Sequence, residues 1–94
     1  MATFVLFCLD KADSLDLRMA TRERHLAYVQ SRAPDIKIAG PMFDDAGQMA
    51  GSMFVLDVAD KAAAEAFSAA DPYTQAGLWR QVELKAVKVA FGQL

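Results

Sequence analysis

Apolar residues in the opening stretch fall on both alternating faces, Phe4, Leu6 and Cys8 on one and Val5, Phe7 and Leu9 on the other. Alternation that is apolar on both sides predicts a strand with something packed against each face. The pattern then loosens, and Ser14 opens a helical stretch running to about Arg32, closed by Ala33-Pro34 because proline disfavours helical backbone in the residue before it. On a wheel of about 100° per residue, Leu15, Met19, Leu26 and Ala33 make the stripe expected to be buried. Arg18, Arg22 and His25 fall along its edge, with Val29 between.

Ile36, Ile38 and Ala39 predict a second strand ending at a Gly40-Pro41 turn, and Met53 to Val58 a third. A polar segment with Asp44, Asp45, Gly47 and Gly51 separates them and reads as a loose hairpin loop. Asp60 is placed to cap a second, alanine-rich helix that fades before Asp71-Pro72, where a capping aspartate ahead of proline suits one further short turn. From Trp79 the chain alternates again, Val82, Leu84 and Ala86 against Gln81, Glu83 and Lys85, then changes phase at Val87 and Val89. That slip predicts a β-bulge near Ala86. The order β-α-β-β-α-β predicts an α+β, ferredoxin-like fold: a four-stranded antiparallel sheet with two helices on one face.

A chain of 94 residues suits one domain, residues 1–94, with a modest core. Apolar residues make up 54%, above the usual share, yet no segment reaches the roughly 18 apolar residues of a membrane span. The uncovered sheet face would then be apolar, and exposing several hundred Å² of such surface is unusual for a monomer, so a homodimer by sheet-to-sheet packing is expected. Net charge is −2 with both signs interspersed, which argues against nucleic acid or membrane as partners. Cys8 is the single cysteine, so no internal disulfide forms and a reducing, cytoplasmic setting fits best. The amino terminus lacks a positive n-region and reads as a strand, not a signal peptide. No metal site or cofactor is expected.

Arg22-Glu23-Arg24-His25-Leu26 and Asp71-Pro72-Tyr73 carry the candidate chemistry. His25 is the only histidine, and an imidazole brought beside a carboxylate is the minimum equipment for proton transfer near neutral pH. From the residues alone, simpler roles exist: a half-buried histidine bonded to backbone, and a helix-capping aspartate. Arg18 and Arg22 read first as a solvated helix edge, and in their functional reading both recognise a substrate carboxylate, Arg22 being the nearer to His25. A hydroxyl at Ser52 suits a substrate oxygen, whereas no nucleophile elbow surrounds it. Tyr73 and Trp79 read first as packing, and Cys8 as an inert small hydrophobe.

Asp10-Lys11-Ala12-Asp13-Ser14-Leu15, Arg18, Arg22, His25-Leu26, Ala39-Gly40-Pro41-Met42, Gly51-Ser52, Ala70-Asp71-Pro72-Tyr73 and Ala76-Gly77 together resemble the YciI-like (YCII-related) proteins in order and spacing. The resemblance implies a dimeric α+β barrel of ferredoxin-like subunits. It also implies that His25 and Asp71 meet in a pocket as a catalytic pair, with Ser52 and Gly40-Pro41 nearby. Arg22, Ser52, Gly40, Pro41 and Tyr73 are then the expected substrate-binding set. The expected activity is cofactor-independent acid–base chemistry, elimination or isomerisation, on a small organic acid. The alternative is a non-catalytic dimeric module that binds a small metabolite or a protein. The catalytic reading treats His25 and Asp71 as a half-exposed pair at a cleft.

Overall fold

In the computed structural model, which describes all 94 residues, four strands form one antiparallel sheet in the order β2-β3-β1-β4. The strands are β1 (Ala2–Asp10), β2 (Ile36–Phe43), β3 (Met49–Val58) and β4 (Trp79–Ala86). Helix α1 (Leu15–Ser31) follows β1, and α2 (Lys61–Ala70) and the single turn α3 (Pro72–Gln75) separate β3 from β4. This is the expected ferredoxin-like α+β arrangement, with the helices on one sheet face. No helix is long and apolar enough to cross a membrane.

Strand parity decides what lies beneath the helices. Along β1 the inward residues are Phe4, Leu6, Cys8 and Asp10, and along β3 they are Val58, Leu56, Phe54 and Ser52. Leu6 pairs with Phe54 and Cys8 with Ser52, so both strands run from an apolar end to a polar one. The apolar end joins Ala64 and Phe67 of α2 in the core, and each large side chain buried there contributes about 1.5–3 kcal/mol. The caps follow the sequence: Asp60 accepts from the Ala63 N–H at 2.9 Å, and Asp71 from the Tyr73 N–H at 2.9 Å. On the opposite sheet face Val5, Phe7, Leu9 and Met53 are only part-buried, with Val55 buried among them.

Four local expectations are corrected. Met19 and Leu26 are not core: they are 50% and 46% exposed, and α1 instead buries Arg18, Thr21 and His25. The helix is turned by about 100°, a little over a quarter of a revolution, from the apolar-stripe orientation. Its polar face finds the carboxylates of Asp10 and Asp71. The bulge lies at the start of β4, not near Ala86: Leu9 faces Gln81 while Asp10 faces Trp79, leaving Arg80 as the extra residue. The phase change at Val87 marks the strand's end, where the Val87 N–H makes a last bond to the Thr3 carbonyl.

The β2–β3 connection is tight, not loose. Asp44 Oδ1 accepts from the N–H groups of Ala46 and Gln48, and Gly47 takes φ of 86°. Gly51 lies within β3, where a Cβ would stand 2.6 Å from the Cys8 carbonyl oxygen. Gly40-Pro41 is likewise no turn; it continues β2 to Phe43, and proline is tolerated there because β2 is an edge strand.

Candidate functional site

His25 and Asp71 come from different elements and meet: Nδ1 of the imidazole stands 2.8 Å from Asp71 Oδ1. α1 carries the histidine on its buried face, and the Asp71-Pro72 corner before α3 supplies the carboxylate. The same oxygen accepts the Tyr73 N–H, so capping and pairing with the histidine coexist in one group. A carboxylate only accepts, so Nδ1 carries the hydrogen and, in the neutral ring, Nε2 presents its lone pair. Nε2 has no partner within the protein. The expected half-exposed pair is in fact buried, with His25 at 7% and Asp71 at 2% exposure.

The imidazole is held flat. Tyr73 stacks on it with ring centroids 3.9 Å apart and planes within 15°, and Phe54 meets it edge-on at 6.1 Å. The Arg18 guanidinium lies 4.7 Å from the Tyr73 centroid. Arg18 and His25 sit two helical turns apart, about 10.5 Å, and the Tyr73 ring fills that gap. Burial raises the Tyr73 phenol above its ordinary range, against the opposing pull of Arg18 and Arg22.

Arg18 is not a solvated edge residue: it is 2% exposed and pairs twice with Asp10, Nε to Oδ2 at 2.8 Å and Nη2 to Oδ1 at 3.0 Å. Burial works against its charge, but the bond and charge of Asp10 outweigh this and raise its pKa further. Nη2 also donates to Ser52 Oγ at 3.0 Å. Arg18 and Asp10 are functional-site neighbours that periodicity alone passes over. Two signals in the chain point to them: Asp10 continues the inward parity of Phe4, Leu6 and Cys8, and Arg18 stands seven residues, close to two turns, before His25.

A cleft of about 90 Å³ opens beside the pair, well above the 10–15 Å³ that one water needs. All five expected substrate-binding residues line it: Arg22, exposed at its rim, with Ser52, Gly40, Pro41 and Tyr73. Asp71 stands behind His25 and does not line the cleft. Leu26, Val29, Ala39, Met49 and Phe54 supply an apolar wall, so Leu26 belongs to the cleft and not to the core. Trp79 is tied to α3 by its Nε1 bond to Thr74 Oγ1 at 2.9 Å. Cys8 lies beneath, its thiol pushed up to about 12 by burial and by the charges of Asp71 and Asp10, which keeps it protonated and inert.

The chain is 35% identical over 96 residues to Protein YciI of Escherichia coli O6:H1, covering 94% of this chain and 98% of that protein. Among solved structures it is similar to 5-chloro-2-hydroxyhydroquinone dehydrochlorinase (TftG) from Burkholderia phenoliruptrix AC1100, in complex with 2,5-dihydroxybenzoquinone. The TM-score is 0.85 at 27% identity, over 92% of this chain and 93% of that one. An antibiotic biosynthesis monooxygenase shares the fold alone, with a TM-score of 0.56 at 14% identity over 94% of this chain and 97% of that one. Residues 2–88 match the YCII-related domain, and the chain belongs to that family.

Proposed function

We propose that the protein is a cofactor-independent enzyme that moves a proton on a small organic acid, leading to elimination or isomerisation. One observation carries the reading: His25 is anchored through Nδ1 to a buried carboxylate, while Nε2, at the cleft wall, is free for a substrate. Asp71 fixes the tautomer and stabilises the imidazolium formed when Nε2 takes a proton. Arg22 holds the acid group, and the apolar wall receives the carbon skeleton. The similarity to a dehydrochlorinase, whose named reaction is an elimination, supports the same reaction class here, with a hydroxylated ring as the substrate type.

The direct test is chloride release from 5-chloro-2-hydroxyhydroquinone without added cofactor. Release by the wild type is expected, with a loss of about 10²–10⁴-fold in His25→Ala, the range for removing a general acid–base. No release by the wild type, or equal release by both proteins, would return the cleft to the non-catalytic binding reading.

The working unit we propose is a homodimer joined through the open sheet faces. Its support is the part-buried row Val5, Phe7, Leu9 and Met53, too apolar to be left to water. Sedimentation equilibrium at micromolar concentration should find twice the 10.2 kDa chain mass; a 10.2 kDa species contradicts the dimer.

A further inference from the structure

The Ser52 hydroxyl is half used. It accepts from Arg18 Nη2 at 3.0 Å, and a guanidinium has no lone pair to offer in return. No other protein atom bonds to that oxygen, so its own proton is uncommitted although the residue is 2% exposed. Ser52 lines the same cleft as His25, and the buried cation beside it favours a hydroxyl that donates away from Arg18, into the cleft. Arg18 is itself fixed by its two bonds to Asp10 and by the Tyr73 ring. Folding alone does not require this arrangement, because replacing a buried ion pair by apolar side chains of similar volume is often neutral or stabilising.

We propose that the Asp10–Arg18 pair aims the Ser52 O–H at a substrate oxygen that becomes negative when His25 takes the proton, so that Ser52 is the donor of an oxyanion site and Arg18 its positioning residue. This rests on the acid–base reading above and narrows it. The substrate class is one in which the departing proton leaves its charge on oxygen: a phenol, an enol, or a C–H acid next to a carbonyl. In the last case Nε2 takes the proton from carbon, the C–H pair becomes the C=C of an enolate, and the carbonyl π pair moves onto the oxygen that Ser52 meets. When that pair returns, a leaving group on the neighbouring carbon departs with its bonding electrons, which is elimination. Return of the proton from His25 to a different carbon is isomerisation. A donor already in place where charge develops lowers the barrier without reorganising.

The probe is 4-nitrophenol, a single-ring acid whose ionisation is visible in its colour, bound on either side of its own ionisation. The wild type is expected to prefer the anion. Ser52→Ala, which leaves both Asp10 bonds of Arg18 in place, should weaken anion binding about 10- to 100-fold, the range for a hydrogen bond to a charged group, and change neutral-form binding little. Ser52→Thr should restore the preference. Arg18→Lys keeps the charge but not the fork that reaches both Asp10 and Ser52, and should show an intermediate loss with the fold retained by circular dichroism. A wild-type preference that Ser52→Ala leaves unchanged, or an equal loss for both forms of the probe, overturns this proposal alone. A wild type that binds neither form overturns it together with the reading of the cleft as a ring-acid site.

Discussion

The inward faces of β1 and β3 divide into two ends built by one rule of alternation and filled in opposite ways. At one end Phe4, Leu6, Phe54, Leu56 and Val58 meet Ala64 and Phe67 of α2 in apolar contact. At the other end Asp10 and Ser52 meet Arg18 and His25 of α1, with Asp71 closing the set, and no buried side-chain polar atom is left without a partner. The apolar end stabilises the fold through area removed from water. Paired charges at the polar end roughly offset their own desolvation and add little net stability, so that end is where the fold holds groups for another purpose. Removing a side chain from either end is costly, for different reasons: at one it leaves a cavity, at the other an abandoned charge.

The largest effect is expected at the apolar end. Phe67→Ala should destabilise by about 3–5 kcal/mol, and at roughly 4–8 °C per kcal/mol for a domain of this size the thermal midpoint should fall steeply. Close behind, Arg18→Met leaves Asp10 buried without its cation and should cost about 3–5 kcal/mol by urea titration. Adding Asp10→Asn to Arg18→Met should recover part of that loss, while no second polar change rescues Phe67→Ala. Recovery in both cases, or in neither, would erase the distinction between the ends.

A middle-sized effect belongs to His25→Ala. Asp71 keeps the Tyr73 N–H but loses the imidazole, for an expected cost of about 1–3 kcal/mol, readable by thermal unfolding alongside the loss of activity. Cys8 sharpens the comparison because it sits where the two ends meet. Its thiol titrates from 9.0 in the ordinary case but near 12 here, so above pH 9 the unfolded chain loses this proton first and stability falls as pH rises toward 12. Cys8→Ala should remove that part of the alkaline loss in urea midpoints, and an identical pH dependence in both proteins contradicts the assigned burial. The smallest effect is expected for Leu26→Ala. Half-exposed at the cleft wall, it should change stability by no more than about 0.5 kcal/mol.

Most of the architecture was legible because it rests on period and punctuation. The alternation of β1, the strand from Trp79 to Ala86, the caps Asp60 and Asp71 and the break at Ala33-Pro34 lie where the pattern puts them, although Val82 in β4 is 46% exposed. The rotation of α1 was not, because a periodicity scan weighs apolar residues and misses polar ones that are buried in pairs. Leu15, Met19 and Leu26 suggested one face, while Arg18 with Asp10 and His25 with Asp71 determine the other. The start of β3, Met49-Ala50-Gly51, carries no β-branched residue and reads as loop, although Gly51 is there to let strands approach closely. Arg22, Ser52, Gly40, Pro41 and Tyr73 were legible as cleft residues through the family resemblance. Arg18 is legible only as a helix-edge cation able to meet a carboxylate; its burial against Asp10 is not, for the same reason as the helix face.

A crystal structure of the protein soaked with 2,5-dihydroxybenzoquinone tests the central claim most directly. The expected result places one ring oxygen within about 2.6–3.2 Å of His25 Nε2 and another near Ser52 Oγ, with the His25–Asp71 contact intact. A ring bound outside this cleft, or an imidazole turned away from Asp71 to receive it, would contradict the account.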